Sequence, residues 1–232
     1  LGTKDLYLGH FVEADKAFDE ALTYGPLGEE LTNIYLLKIT ANIGLSNYQK
    51  AFALLEDNLS RIDSYQDQSI KIMSYIRLMN VYLQLNAYEE MLRIAQLALS
   101  LNQGKDPKSE CFSMLYHSVA HLKLAHFDQA ETFFKDTQLY CKNHGFPLIE
   151  IMSIKGQGNV LFDKGLYAEA EPFYLVALER YQKFKFQIEI NEIQSYLSSI
   201  YFHLGDYQQA DMFAQLVNAL PNKPSNMQVK TC

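Results

Sequence analysis

Gly165-Leu-Tyr-Ala-Glu-Ala170 returns forty residues later as Gly205-Asp-Tyr-Gln-Gln-Ala210. A small residue, an aromatic two places on and an alanine three places after that make one signature. Weaker copies stand at Ala125-His-Phe-Asp-Gln-Ala130, Asn86-Ala-Tyr-Glu-Glu-Met91, Ser46-Asn-Tyr-Gln-Lys-Ala51 and Gly9-His-Phe-Val-Glu-Ala14. The aromatic falls at residues 11, 48, 88, 127, 167 and 207, giving steps of 37, 40, 39, 40 and 40 residues. A fixed period of about 20–50 residues marks a repeat array, in which each unit buries its apolar face against the next.

Within a unit the apolar spacing is helical. Ala170, Tyr174, Ala177 and Leu178 form one stripe, as do Ala14, Phe18, Ala21 and Leu22. Helices are therefore expected over 29–44 and 48–62, 68–85 and 88–101, 109–124 and 127–142, 149–164 and 167–184, 187–204 and 207–220. Gly25-Pro26, Asn102 to Pro107, Asn143 to Pro147 and Pro221 to Pro224 read as breaks. No stretch alternates as a strand does, so the fold class is all-α. One helical repeat domain is expected over 1–220, opening partway through its first unit, with a polar tail over 221–232.

The small residues have a mechanical meaning. Ala130, Ala170 and Ala210 stand where two antiparallel helices approach most closely. Gly165 and Gly205 close the first helix of a pair, where a left-handed residue is needed and glycine meets no Cβ penalty. The aromatic two residues later is expected to wedge between helices.

Composition narrows the function classes. The 232 residues are 48% hydrophobic and 20% charged, with a formal charge of −7 and no lysine/arginine cluster. Nucleic-acid binding needs dense positive charge to displace counterions, and this segment lacks it. No apolar run reaches the roughly 18 residues of a membrane span, and the first residues have no signal-peptide shape. Cys111, Cys141 and Cys232 are far apart and odd in number, so neither a disulfide framework nor a thiolate metal site is expected, and a reducing, cytoplasmic setting is.

Two further motifs read as packing. His117 and His121 stand at i, i+4, a spacing that can grip a metal, but no third ligand accompanies them and both fall where a neighbouring helix packs. Gly156-Gln-Gly158 lacks the strand and the Lys-Ser/Thr ending of a phosphate loop and fits close helix packing. No Ser, His and acid constellation stands outside the repeats, so no enzyme, catalytic residue, metal or cofactor is expected.

Gly158-Asn-Val-Leu161, Gly165-Leu-Tyr-Ala-Glu-Ala170 and Tyr174-Leu-Val-Ala-Leu178 carry landmarks that resemble those of the tetratricopeptide repeat family. The resemblance covers 6–220 and is strongest in the last two units. The period near 40 exceeds the family's usual 34 or so, which lengthens both helices by close to a turn. Long repeats of this kind are similar to those of bacterial signalling and regulatory proteins.

The resemblance implies a right-handed superhelix of about six helix-turn-helix units, with the first helix of each lining a concave face that binds a peptide or protein segment. The family's pattern places on that face Met73, Ile76, Asn80, Leu83 and Gln84, then Phe112, Leu115, Val119, Leu122 and Lys123. The later units give Met152, Lys155, Asn159, Phe162 and Asp163, then Glu192, Ser195, Ser199, Phe202 and His203. The candidate peptide-binding residues are Asn80, Gln84, Lys123, Lys155, Asn159, Asp163, Ser199 and His203. Asn80 and Asn159 each offer a donor and an acceptor to a peptide main chain. Lys155 resembles half of a carboxylate-holding pair, but Ser195 and Ser199 stand where its counterpart belongs.

The expected role is a regulatory binding module of a larger signalling protein, whose output domain is a cyclase, kinase or transcription regulator. The alternative is a scaffold that self-associates through its terminal helices, since Tyr207, Met212, Phe213, Leu216 and Val217 leave apolar area on the last helix.

Overall fold

In a computed structural model, which describes residues 2–218, the backbone runs from helix to helix with no strand among the described residues. The helices are α1 (Gly2–Tyr7), α2 (Phe11–Thr23), α3 (Gly28–Gly44), α4 (Tyr48–Ser64), α5 (Gln68–Gln84), α6 (Tyr88–Asn102), α7 (Pro107–Lys123), α8 (Phe127–Asn143), α9 (Pro147–Asp163), α10 (Tyr167–Phe184), α11 (Gln187–Leu204) and α12 (Tyr207–Asn218). The tail over 221–232, and the end of the expected last helix at 220, lie outside the described residues.

Starts and stops follow from local chemistry. Pro107 and Pro147, read above as breakers, occupy the first turns of α7 and α9, where a missing N–H costs nothing. Asp67 and Asp106 cap α5 and α7 by accepting from the backbone N–H groups of Ser69 and Ile70, and of Lys108 and Ser109. At the signature turns one residue is left-handed: Ser46 at φ 59°, Asn86 at 56°, Ala125 at 57°, Gly165 at 75° and Gly205 at 80°. In each, the next N–H reaches back five residues to a helix carbonyl, as from Leu166 to Leu161 at 2.9 Å. This is the Schellman closure, and it gives every hairpin the same sharp reversal.

Every signature alanine is buried: Ala14, Ala51, Ala130 and Ala170 at 0% exposure and Ala210 at 7%. Met91 takes the same position in the third unit, also at 0%. The aromatic wedge is only partly enclosed. Tyr48 and Tyr207 are more than half exposed. The largest fully buried side chains include Tyr174, Tyr181 and Phe134, each contributing about 2–3 kcal/mol by leaving water.

Glycine sets the spacing between α8 and α9. A Cβ on Gly156 would stand 2.3 Å from the ring of Phe134, so the absent methyl is what lets that ring pack flat on the α9 backbone. Gly158 meets Phe173 and Tyr174 in the same way at 3.1–3.3 Å.

Each helix packs on the next along the chain, and the first helices also touch one another, α3 on α5, α5 on α7 and α7 on α9. Successive second helices are not in comparable contact among the described residues. The array therefore bends with its first helices inside.

Two features depart from expectation. Cys111 on α7 and Cys141 on α8 are joined by a disulfide, their Cα atoms 5.7 Å apart. Cysteines that are odd in number and far apart predict no such bond, but across these 30 residues the hairpin folds one helix end back on the other. The second is an ion cluster: Lys38, 3% exposed, reaches Asp15 at 2.6 Å and Asp19 at 2.8 Å, and Lys50 closes on Asp15 at 2.8 Å. Asn42 donates to the same Asp15 carboxylate at 2.8 Å, so α2, α3 and α4 share one polar knot.

Candidate functional site

The inner face carries a groove of about 430 Å³ across three first helices. Asn33, Leu36, Leu37 and Thr40 of α3 form one wall, Ile76, Arg77, Asn80 and Val81 of α5 the floor, and Phe112 and Tyr116 of α7 the other wall. Its base is aliphatic and its rim polar. Asn80 Nδ2 donates to Tyr116 Oη at 3.3 Å, and Gln84 Nε2 donates to Asn80 Oδ1 at 2.7 Å. Burial pushes the Tyr116 hydroxyl up, so it stays a neutral donor and acceptor across the physiological range. Arg77 pairs with Glu29 of α3 at 3.1 Å. The Oδ1 atom of Asn33 is buried and finds no hydrogen-bond partner among the described residues.

Asn80 and Gln84 are thus brought together here. The other candidates are not. Lys155 reaches across to Glu192 of α11 at 2.8 Å, which neutralises the cation that resembled half of a carboxylate clamp. Asn159 Oδ1 accepts from the buried Tyr174 hydroxyl at 2.6 Å, so one end of its amide is already committed. Burial raises the Asp163 carboxyl while the Lys123 ammonium pulls it the other way. His203 stacks on Tyr167 at 4.2 Å. Ser199 lines a separate space of about 490 Å³ with Ser195, Phe202, Tyr207 and Ala210, between α11 and α12.

Two placements by the repeat pattern fail, and one on the last helix. Leu115 and Leu122 are 4% and 5% exposed and belong to the core beneath α7. Phe213 is 7% exposed because its ring stacks on Tyr201 at 5.6 Å, whereas Tyr207, Met212 and Leu216 do stand exposed on α12. The reading also missed Asn33, Arg77 and Tyr116. The signal was present: Tyr116 follows Phe112 by four residues on one face, and α3 is the equivalent helix one unit earlier.

His117 and His121 pack as expected, against Phe133 of α8, with ring centroids at 4.4 and 5.0 Å. Burial takes His117 down to about 4. Among the described residues no group of three or more His, Cys, Asp and Glu side chains is arranged to hold a metal ion, and no helix is long and apolar enough to cross a membrane.

Helix pairs of this length, closed by the same turn, spaced by buried alanines and bent with first helices inward, define a helical repeat solenoid of the tetratricopeptide type. The solved structures agree on the fold. BtubC (BKLC) from P. vanneervenii superposes with a TM-score of 0.68 at 13% identity, over 97% of each chain. A signal-transduction ATPase with a tetratricopeptide repeat sensor from Pyrococcus horikoshii gives 0.71 at 18% identity, over 93% of this chain and 34% of its own. A Rap protein complexed with competence and sporulation factor gives 0.68 at 11% identity, over 94% and 72%. The chain thus spans about a third of the ATPase's length. No protein-family model matches the sequence, and no curated protein does.

Proposed function

We propose that this chain is a non-catalytic binding module that holds an extended protein segment along the inner face, centred on the α3–α5–α7 groove. The observation that carries the reading is the groove itself. Its aliphatic base can take side chains of a strand-like peptide, while the Asn80 amide and Tyr116 hydroxyl meet its main chain. Asn80 Nδ2 is held by only one weak bond, so a peptide carbonyl can capture it. The self-paired Lys155 argues against recognition of a terminal carboxylate.

Similarity to a repeat sensor and to Rap proteins supports a regulatory role in a larger signalling protein, with binding that shifts the curvature of the array and so biases an output domain. The exposed Tyr207, Met212 and Leu216 favour a second reading, self-association through α12, which concentration-dependent light scattering tests.

The groove reading is tested by selecting peptides from a random display library and measuring their affinity by calorimetry. Asn80→Ala is expected to weaken the selected peptides about threefold to tenfold, the worth of one net hydrogen bond. Peptides that bind the Asn80→Ala, Phe112→Ala double variant as well as the unmodified chain refute it.

A further inference from the structure

We infer that His121 and His126 form a binding site for a divalent cation of the zinc class. His117 and His121, one helical turn apart in the sequence, read as packing and do pack on Phe133. The structure brings together a different pair, with Nδ1 of His121 3.3 Å from Nδ1 of His126 across the α7–α8 turn.

The backbone imposes this. Ala125, at φ 57°, is the left-handed residue of the closure. The N–H of His126 donates to the carbonyl of His121 at 2.9 Å and that of Ala125 to Leu122 at 3.0 Å. In such a closure the side chains at the two ends of the six-residue bond meet, ordinarily through apolar contact. Leu161 and Leu166 occupy those places at the next signature turn, and Tyr181 and Phe186 at the end of α10. Here both places carry imidazole, so the fold sets two nitrogen donors side by side, within a small turn of the rings of a shared ion.

The separation suits a metal. Two donors on a tetrahedral ion with Zn–N of 2.0–2.1 Å stand about 3.3–3.4 Å apart. Imidazole donors favour zinc, copper(II) and nickel over magnesium or calcium. His121 is fixed by its stack on Phe133 at 5.0 Å and by the edge of His117 at 4.7 Å. His126 is exposed, which opens the site to solvent.

In the ion-free pair one Nδ1 carries the proton that the other accepts. Binding moves that proton to Nε2 of the same ring, so both rings stay neutral and both Nδ1 lone pairs face the ion. Two waters complete the shell, since no third protein ligand is gathered there among the described residues. The fractional positive charge at the start of α8 opposes a cation and the carbonyls ending α7 favour it, so the two helix ends largely cancel. The ion would pin the turn of a hairpin whose opposite end is held by Cys111–Cys141.

The test is calorimetric titration of the full chain with zinc chloride, in its own form and in a Cys232→Ser variant that removes the remaining thiol. Both are expected to take up one ion saturably. His126→Ala, at an exposed position, is expected to bind at least about tenfold more weakly with an unchanged far-ultraviolet spectrum. His144→Ala is expected to bind as the parent does. Long-range ¹H–¹⁵N spectra should show Nδ1 of His121 and His126 shifting on zinc addition. Absence of saturable uptake, uptake unchanged in His126→Ala, or shifts confined to His117 and His121 would overturn the assignment.

Discussion

Gly156→Ala adds one methyl to α9, and in an ordinary helix interior it would stabilise by about 1 kcal/mol, because alanine has the better propensity and loses less backbone entropy. Here the new Cβ lands 2.3 Å from Phe134 Cε1 and 2.5 Å from its Cδ1 and Cζ. Carbon atoms pack at about 3.5 Å or more, so the ring must retreat by about 1 Å. Phe134 is 1% exposed and lies in the cluster with Cys111, Leu115, Ala130, Cys141 and Val160, which leaves it nowhere to go. Overpacking of this kind costs about 1–3 kcal/mol, and an overlap this deep belongs at the upper end. Net of the propensity gain, Gly156→Ala should destabilise by about 2 kcal/mol. Urea unfolding followed by circular dichroism measures it. The companion Phe134→Leu removes the ring edge, and in that background Gly156→Ala should become neutral or stabilising, a coupling visible in a double-mutant cycle. If Gly156→Ala stabilises the otherwise unmodified chain, the glycine is not there to admit the ring and the α8–α9 packing argument fails.

Three other outcomes follow from the same structure. Ala125→Gly should stabilise by about 0.5–1 kcal/mol although it places glycine beside a helix, because Ala125 sits at φ 57° where a Cβ is disfavoured; a lowered urea midpoint would contradict the turn geometry. Reducing Cys111–Cys141, which closes a loop of 30 residues, should cost about 3.6 kcal/mol by chain entropy, and denatured unreduced protein should titrate one thiol against three after reduction. Burial pushes the Asp15 carboxyl up, but hydrogen bonds from Lys38, Lys50 and Asn42 outweigh it and hold the group below its ordinary 3.8. Its stabilisation is therefore complete above that value and is lost as pH falls further. Asp15→Asn should flatten this acid limb of the stability profile and cost about 1.5–3 kcal/mol at neutral pH, because Lys38 and Lys50 lose their shared carboxylate while Lys38 keeps Asp19.

Much of the architecture is legible from residues that repeat. Gly165 and Gly205 announce a left-handed closure, and the same backbone is adopted by Ser46, Asn86 and Ala125, which do not announce it and are recognised only by the period. The groove is less legible. Asn80 and Gln84 belong to it, but Lys155 and Asn159, equally good candidates by position, are consumed by Glu192 and Tyr174. A helical face can be read from spacing; what a side chain meets on another helix depends on residues some 15 to 37 places away.

The same division holds for the cysteines and histidines. The sequence by itself determined the all-α class, the six signatures and most helix ends to within about two residues, because these depend on spacing and on backbone preferences of a few residues. The tertiary structure alone decided that Cys111 meets Cys141, that Nδ1 of His121 meets Nδ1 of His126, and that Lys155 on the inner face is paired with Glu192. Hairpin closure sets those distances, and it joins residues by where the chain doubles back, which no local pattern records.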